Sequence, residues 1–372
     1  MLRTVRWGVN GWRGTGWSVR KPRRRPGGGP TLADVAARAG VSPATASRVL
    51  HQSTRRVGQQ HRERVLRAAR ELDYRPDLSA QAMARGTAPV LALLVSSIDD
   101  PYFSAIAAGV ARSAQRHGAI VTIAVTGRDT GRELTALRTI RGQRPRAVLV
   151  AGSRTLGSRH SEALLAELRS LVDAGGRAVF IGRPSGGLPA VRPANLDAAR
   201  ALGTAIAGLG HRRAVVVTGA GRLETVRERT EGLRQGLAAS GGRVIAVESD
   251  AFDRRGGYRA TRRLLANGGL SAADVLCAGN DFMAVGAMTA LRDGGLRPGE
   301  DIAVTGFNDI ETAADVTPRL TTVHFPLAEI GECAARLALD PEACGGEDVL
   351  VPGLVRLRDS SPDRRGGAPR ER

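Results

Sequence analysis

Lysine is almost absent from this chain of 372 residues, and Lys21 is the only lysine among its 55 basic residues. Arginine therefore carries nearly all of the positive charge. This usage is typical of a GC-rich coding bias, so arginine content alone does not indicate a function. A phosphate-binding GxxxxGK[ST] loop requires a lysine, and Lys21 stands in no such motif. HExxH and GxSxG are also missing and the six histidines are dispersed, which argues against an enzyme.

Cysteine and long apolar runs are scarce as well. Cys277, Cys333 and Cys344 are scattered without metal-ligand spacing. We therefore expect reduced thiols, no disulfide framework, no metal site and no cofactor. The chain has no apolar run of about 18 residues that could span a bilayer, and residues 1–30 lack the apolar core of a signal peptide. These absences predict no membrane partner and a cytoplasmic location.

Positive charge is present in excess and is concentrated at one end. The formal net charge is +19 at pH 7, and residues 1–30 contribute +8 because they hold eight basic and no acidic residues. Clustered cations release counterions from phosphates, so this charge favours a polyanionic partner. Residues 22–30 read PRRRPGGGP, which supports neither helix nor strand. We predict a disordered basic tail over residues 1–30.

Helix start and stop signals follow the tail. Thr31 stands at an N-cap with Asp34 at the capping-box position, and Gly40 is a good C-terminal stop. Ser42 caps a second helix. A third helical pattern covers about residues 59–72. Three short helices of this kind predict a small all-α domain.

From residue 90 onward, apolar runs alternate with helical stretches rich in Ala, Leu and Arg. Eight runs are typical of buried strands: VLALLV, AIVTIAV, RAVLVAG, RAVFIG, RAVVVTG, RVIAVES, DVLCAGN and DIAVTGF. This alternation predicts parallel sheets covered by helices on both faces. Eight strands favour two doubly wound lobes over one sheet, with a ligand site in the crevice between the strand carboxyl ends.

The second short helix carries an unusually polar face. It presents Ala44, Thr45, Ser47 and Arg48, and a tight turn joins it to the first helix. Two such helices can form a helix-turn-helix whose second helix enters the major groove of DNA. A three-helix bundle with a solvated polar face fits the same short pattern. Longer motifs are needed to separate these two interpretations.

Five longer motifs follow one another along the chain, namely TLADVAARAGVSPATASRVL, RERVLRAARELDYRPDLSAQAMARG, DDPYF, NDFMAVGAM and GFNDI. Together they resemble the LacI/GalR family of bacterial transcriptional regulators over residues 31 to about 358. The resemblance implies an all-α helix-turn-helix headpiece plus an α/β effector domain with two doubly wound lobes of periplasmic-binding-protein-like type. It also implies a repressor that binds operator DNA as a homodimer and is controlled by a small-molecule effector.

The resemblance implies domain boundaries too. The expected parts are a DNA-binding domain over 31–76, a hinge helix over 77–87, an effector-binding and dimerisation domain over 88–358, and a disordered tail over 359–372. Within the third part, lobe 1 is expected at about 88–193 and 323–358, and lobe 2 at about 194–322. The final segment has no heptad repeat long enough for a tetramerising coiled coil, which favours a dimer.

The DNA-contacting residues follow from the same resemblance. Arg48 stands where the family places a base-contacting or phosphate-contacting side chain, and arginine can reach O6 and N7 of guanine together. Met83 stands where relatives insert a leucine into the minor groove to kink the duplex. The residues expected to contact DNA are Thr31, Ser42, Pro43, Ala44, Thr45, Ser47, Arg48, His51, Ala80 and Met83.

Eight residues match effector-binding positions of the family: Tyr102, Phe103, Thr225, Arg229, Phe252, Asn280, Asn308 and Phe325. An arginine fork, amides and an aromatic face suit a polyhydroxylated ring, and they suit a nucleoside almost equally well. Because Arg229 is the only charged group among them, we expect a mostly neutral, sugar-like effector. Arg229 could instead pair with Glu228 or Glu231, and Asn280 could be a strand-end cap.

Three positions depart from the family pattern. Gly182 stands where many relatives have Asp, Ala194 lacks the acid of a family "DN" pair, and Phe325 replaces a Gln. These departures leave open a dimeric repressor that needs no ligand. A solute-binding protein of the same effector fold is a second alternative, but it explains nothing in residues 31–86.

Overall fold

A computed structural model describes residues 29–50, 57–75, 88–152, 155, 157–340, 342 and 348–365. The chain divides into two compact units, residues 1–77 and residues 78–372. The predicted hinge helix and nearly all of the predicted basic tail lie outside the described residues. Every helix in the described ranges is too short or too polar to cross a membrane. The same ranges hold no cluster of His, Cys, Asp and Glu that could bind a metal ion.

Three helices build the first unit: α1 (Leu32–Ala39), α2 (Pro43–Leu50) and α3 (Gln59–Glu71). The predicted capping box is confirmed, because Thr31 and Asp34 exchange hydrogen bonds at the start of α1. Gly40 ends α1 with a φ of 64°, a left-handed conformation that costs a glycine little. The helices enclose a small core of Val35, Ala36, Ala39, Ala46, Val49, Val65, Ala68 and Ala69.

Twelve strands are found among the described residues of the second unit. The eight predicted strands are all present, and four short ones join them. The strands are β1 (Ala88–Val95), β2 (Ile120–Val125), β3 (Pro145–Ala151), β4 (Arg177–Ile181), β5 (Ala190–Pro193), β6 (Arg213–Thr218), β7 (Arg243–Ser249), β8 (Val275–Ala278), β9 (Ala303–Thr305), β10 (Thr322–His324), β11 (Val349–Val351) and β12 (Leu354–Arg356).

Nine helices alternate with these strands in the described part of this unit. They are α4 (Pro101–Arg116), α5 (Thr130–Arg141), α6 (Ser161–Asp173), α7 (Asn195–Gly208), α8 (Glu224–Ala238), α9 (Arg254–Ala266), α10 (Asp281–Asp293), α11 (Thr312–Asp315) and α12 (Leu327–Leu339).

The strands form two separate parallel sheets. Lobe 1 has the order β11-β5-β4-β3-β1-β2 and lobe 2 the order β7-β6-β8-β9, while β10 and β12 form an antiparallel pair. Strand β1 is almost continuously buried because helices cover both faces of its sheet. The predicted fold class is therefore confirmed.

The predicted disordered tail requires a correction. Residues 359–365 are described and lie along lobe 2, where Ser360 is fully buried and its carbonyl accepts a hydrogen bond from the Val304 amide at 2.8 Å. The Arg364 amide donates to the Leu209 carbonyl at 2.9 Å. The Pro- and Arg-rich composition supports no structure by itself, but these backbone groups find partners on an existing lobe. Residues 366–372 lie outside the described residues.

Helices α4 and α12 approach each other closely enough to bring backbone against backbone. A Cβ at Gly331 would lie 2.1 Å from the Ile106 carbonyl oxygen, and one at Gly109 would lie 1.8 Å from that of Ala328. No rotamer change can relieve a clash with backbone. Glycine at these positions therefore sets the distance between the two helices on one face of lobe 1.

We predict that Gly331→Ala lowers the free energy of unfolding by about 1 to 3 kcal/mol, because α4 and α12 must separate to admit the methyl group. Gly208→Ala is the matched control, since a Cβ at this helical glycine has nothing within 4 Å. It should be neutral or stabilise by up to about 1 kcal/mol. Urea unfolding measures both, and equal stability of the two variants would contradict this account of the helix crossing.

Candidate functional site

Helix α2 turns its polar face to solvent and its apolar face to the core. Ser42, Pro43, Ala44 and Arg48 are exposed and Thr45 and Ser47 are half-buried, whereas Ala46 and Val49 are buried. The Ser42 hydroxyl accepts a hydrogen bond from the Thr45 amide at 3.1 Å and so caps the helix. The predicted division of this helix into two faces is therefore present.

Arg48 has no hydrogen-bond or ion-pair partner among the described residues, so its guanidinium is free to reach beyond the headpiece. Arg38, by comparison, is tied to Glu71 by a 2.9 Å hydrogen bond between Nε and Oε2. The Thr31 hydroxyl is already engaged with Asp34. His51, Ala80 and Met83 lie outside the described residues, so their contacts with DNA stay predictions.

A cavity lies between the two lobes of the second unit, with a volume of about 640 Å³ that includes the open space at its mouth. Its walls follow strand carboxyl ends: Gly152 and Gly182 come after β3 and β4, and Asn280 and Asn308 come after β8 and β9. Parallel sheets bind ligands at this edge.

Seven of the eight predicted effector residues line this cavity: Tyr102, Phe103, Thr225, Arg229, Phe252, Asn280 and Asn308. They come from both lobes and are widely separated in sequence. The fold therefore brings together the residues that the family resemblance selected. Their contact with an effector stays a prediction.

Phe325 does not line the cavity, which corrects its predicted placement. Its side chain is 2% exposed and its ring centroid lies 5.8 Å from that of Phe307 in the hydrophobic core. A phenyl ring gains more from burial among apolar side chains than from a polar wall. Gly182, by contrast, is part of the cavity wall. Its backbone φ is 134°, a value that residues other than glycine rarely adopt.

Arg229 is the most buried cation of the cavity, with 8% of its surface exposed. Its Nε donates to Asn195 Oδ1 at 2.9 Å, and its terminal nitrogens donate to the Gly279 carbonyl at 2.7 Å and Asn308 Oδ1 at 2.8 Å. The guanidinium also lies 4.0 Å from the Phe307 ring centroid. Burial lowers the pKa of Arg229 to about 10, so the group keeps its charge at neutral pH.

The alternative pairing of Arg229 with Glu228 or Glu231 is therefore wrong, since neither carboxylate lies within ion-pair distance. Asn195 is a partner that the sequence analysis missed, although it opens α7 directly after Ala194. Asn280 caps α10 by accepting a hydrogen bond from the Met283 amide at 2.8 Å, as the strand-end alternative expected. Its amide nitrogen has no partner among the described residues and remains available in the cavity wall.

The loop that carries Asn308 has a strained backbone. Asn308 and Asp309 have φ values of 113° and 57°. Asp281, at the start of α10, holds this loop by accepting hydrogen bonds from the Ile310 amide at 2.9 Å and from the Thr322 hydroxyl. Burial raises the pKa of Asp281 to about 6. A sequence pattern does not reveal this support because its partners lie far apart along the chain.

Charged side chains are more numerous in the cavity than the sequence analysis expected. Besides Arg229, the walls include Asp100, Arg128, Arg183, Arg192, Glu224 and Glu228. The premise that Arg229 is the only charged group is therefore wrong. Asp100, Arg128 and Arg183 stand in the loops that follow β1, β2 and β4, and Glu224 begins α8. These positions could have marked them in the sequence.

Three contacts join the lobes across the cavity mouth. Arg183 after β4 forms an ion pair with Glu224 at the start of α8. The Arg128 guanidinium carbon lies 5.4 Å from the centroid of the Phe252 ring, within the range of a cation–π interaction. Thr155 and Leu223 form an isolated antiparallel β-bridge. These contacts hold the two lobes against each other at this place.

Comparison with known proteins agrees with this architecture. Residues 31–77 match bacterial regulatory proteins of the lacI family, and residues 204–361 match a periplasmic binding protein-like domain. The HTH-type transcriptional regulator GalS of Salmonella typhimurium is 34% identical over 339 residues, which cover 88% of this chain and 95% of that protein. The HTH-type transcriptional repressor CytR of Escherichia coli K12 is 32% identical, with coverage of 83% and 89%.

Solved structures agree as well. The lac repressor dimer bound to operator and the anti-inducer ONPF is 26% identical with a TM-score of 0.76, and the match covers 90% of this chain and 100% of that one. A complex of the transcriptional regulator CelR with cellobiose is 29% identical with a TM-score of 0.63, covering 89% and 99%. A helix-turn-helix headpiece and a two-lobed α/β domain define a DNA-binding transcriptional regulator. The chain belongs to the lacI family of bacterial regulatory proteins.

We predict that Glu224→Gln loosens the closed cavity mouth with little effect on stability. Arg183 is 58% exposed at its side chain, so loss of the pair should change the unfolding free energy by at most about 1 kcal/mol. Hydrogen exchange at residues 221–224 should accelerate by up to about fivefold. Glu332→Gln is the control because its ion pairs with Arg112 and Arg116 lie within lobe 1. Unchanged hydrogen exchange in Glu224→Gln would show that the Arg183–Glu224 ion pair does not hold the lobes together.

Proposed function

We propose that this regulator is a repressor that binds a two-fold symmetric operator as a homodimer and responds to a small sugar-like effector in the cavity between its lobes. It would act in the cytoplasm, where the chromosome lies. The proposed parts are a DNA-binding domain at 31–76, a hinge helix at 77–87 and an effector-binding and dimerisation domain that extends to residue 365. Repressor relatives and the operator-bound lac repressor dimer support this proposal.

The DNA-binding half of the proposal rests on the exposed face of α2. Arg48 has the reach and the free donors for a bidentate contact with guanine, while Ala44 offers only apolar contact. The hydroxyls of Ser42 and Thr45 are bonded to each other at 2.9 Å, which leaves Arg48 as the main direct reader. A solute-binding protein would have no use for this face.

The effector half rests on one observation, which is the set of polar groups that converge on the cavity from both lobes. The Asn280 amide nitrogen and the remaining N–H groups of Arg229 can donate to hydroxyl groups. The Phe252 ring, half-buried in the wall, offers a face for a sugar ring. A repressor without an effector would have no use for polar groups that converge on one cavity from both lobes. This argues against the ligand-independent alternative.

We predict that the chain selects a pseudopalindrome of about 14 to 20 base pairs from random DNA, with a flexible pyrimidine-purine step at its centre. Arg48→Ala should weaken binding to that DNA by about 1 to 3 kcal/mol and relax one position in each half-site. Arg38→Ala removes the same charge from a side chain tied to Glu71, and it should not change the selected sequence. Uniform weakening by Arg48→Ala on all sequences would make Arg48 a phosphate contact instead.

We predict that Arg229→Ala keeps operator binding and loses the response to effector, because Arg229 lies in the unit that carries the cavity. The measurement is operator affinity with and without a panel of sugars and nucleosides. Phe252→Ala serves as a second variant that removes no hydrogen bond, and its folding is checked by thermal unfolding because Phe252 packs against the core of lobe 2. Loss of operator binding by a folded, dimeric variant, or a full response to ligand in both variants, would contradict the assignment of this cavity.

A further inference from the structure

Arginine residues outnumber aspartate and glutamate residues in the walls of the cavity. Four guanidinium groups, those of Arg128, Arg183, Arg192 and Arg229, stand against the carboxylates of Asp100, Glu224 and Glu228. We propose that the effector is an acidic sugar, which carries a carboxylate or a phosphate group beside its hydroxyls. This inference rests on the proposed function, and it narrows the effector class to an anionic one.

Ion pairing removes one group of each sign from this count and leaves one guanidinium group in excess. Arg183 forms an ion pair with Glu224. Arg229 makes all three of its hydrogen bonds to neutral oxygens, and it has no carboxylate within ion-pair distance among the described residues. Arg192 is exposed at the mouth and has no ion-pair partner in the same described ranges. Glu228 has none either, so Asp100 and Glu228 stand against Arg128, Arg192 and Arg229.

Arg128 is the third of these guanidinium groups, and its ion pair with Asp100 is a long one. Its side chain is 25% exposed, and the nearest carboxylate oxygen, on Asp100, lies 3.6 Å away, beyond hydrogen-bond distance. The Asp100 carboxylate already caps α4 by accepting from the Tyr102 amide at 3.0 Å. No described residue accepts a hydrogen bond from Arg128. A ligand oxyanion would supply the missing acceptors.

The backbone aims Arg128 at this place. Gly127 and Arg128 both have left-handed φ values, 65° and 60°, between the end of β2 and the start of α5. A non-glycine residue rarely adopts this conformation. The turn directs the side chain inward, where it lines both the main cavity and a smaller recess beside it. Strain of this kind is often found where a side chain must be held for a ligand.

The recess offers a further donor next to Arg128. Ser96 lines it with only 8% of its surface exposed, and its hydroxyl has no hydrogen-bond partner among the described residues. Gly152 borders both the recess and the main cavity, and a Cβ there would lie 2.9 Å from the Ser96 hydroxyl oxygen. Glycine therefore keeps the passage open. The carboxylates of Asp129 and Glu133 line the recess too, so an acidic group is expected in the main cavity, whose walls hold Arg128 together with Arg192 and Arg229.

Matched sugars test the proposal. Glucose, glucuronate and glucose 6-phosphate differ only at C6, as do the corresponding galactose compounds, and inorganic phosphate reports on the cation cluster alone. Calorimetric titration of the full chain at fixed ionic strength gives each affinity.

Arg128→Gln is the test variant, with Arg192→Gln as an exposed alternative that leaves packing intact. Arg144→Gln is the control, since Arg144 is exposed, also has a left-handed φ of 51°, and is absent from the cavity walls.

We expect the acidic members to bind at least about tenfold more tightly than the neutral ones, the factor typical of a charged hydrogen bond. Arg128→Gln should remove most of that advantage and weaken phosphate binding by about tenfold, while Arg144→Gln changes neither. Comparison of glucuronate with glucose 6-phosphate then shows whether the site prefers a carboxylate or a phosphate group.

Three results would overturn the proposal. They are equal binding of neutral and acidic sugars, equal weakening of both by Arg128→Gln, and the absence of any Arg128-dependent phosphate binding. Neutral sugars that bind and change operator affinity would overturn the anionic effector while supporting the proposed function. Conversely, Arg128-dependent binding of acidic sugars without any change in operator affinity would support the anionic site and contradict effector control of DNA binding.

Discussion

The hydrogen bonds of Arg229 assemble the floor of the cavity. This one guanidinium joins α8 to the start of α7 through Asn195, to the end of β8 through Gly279, and to the end of β9 through Asn308. Each partner is a buried acceptor that would otherwise lack a donor, and such groups are costly to leave unpaired. The charge persists because three neutral oxygens and the Phe307 ring replace the water that burial removes. The positions of the other cavity residues depend on this arrangement.

The same region links the cavity to the segments that cross between the lobes. Asp309, next to Asn308, forms a hydrogen bond with His324 at the end of β10 and an ion pair with Arg358 beyond β12, at 3.0 Å and 2.7 Å. A ligand that moves Asn308 therefore acts directly on both crossing segments. Linkage makes such coupling reciprocal, so that DNA binding and effector binding change each other's affinity equally.

Arginine has different roles according to its surroundings. On the surface of lobe 2, Arg263 pairs with Glu248 and Asp250, and exposed pairs of this kind contribute little because water screens them. Deep in the cavity, Arg229 is 8% exposed, and a buried charge of this kind needs polar partners. Composition alone, which reflects a coding bias, cannot separate the two roles. Arg128 and Arg192 acquire significance only from their place in the cavity walls.

The sequence by itself determined the elements and their order, because local signals define them. The capping box at Thr31, the stop at Gly40 and eight continuous apolar runs depend on neighbours a few residues away, and periodicity reports such contacts. The motifs also selected seven cavity residues correctly. Short edge strands such as β5 and β11 carry too few residues for a pattern.

Only the tertiary structure decided which side chains share a wall. It sent Phe325 into the core, docked residues 359–365 on lobe 2, and brought Arg128 and Arg192 to the cavity with Asn195. These outcomes depend on contacts between residues distant in sequence, in which burial and charge pairing are settled by the whole fold.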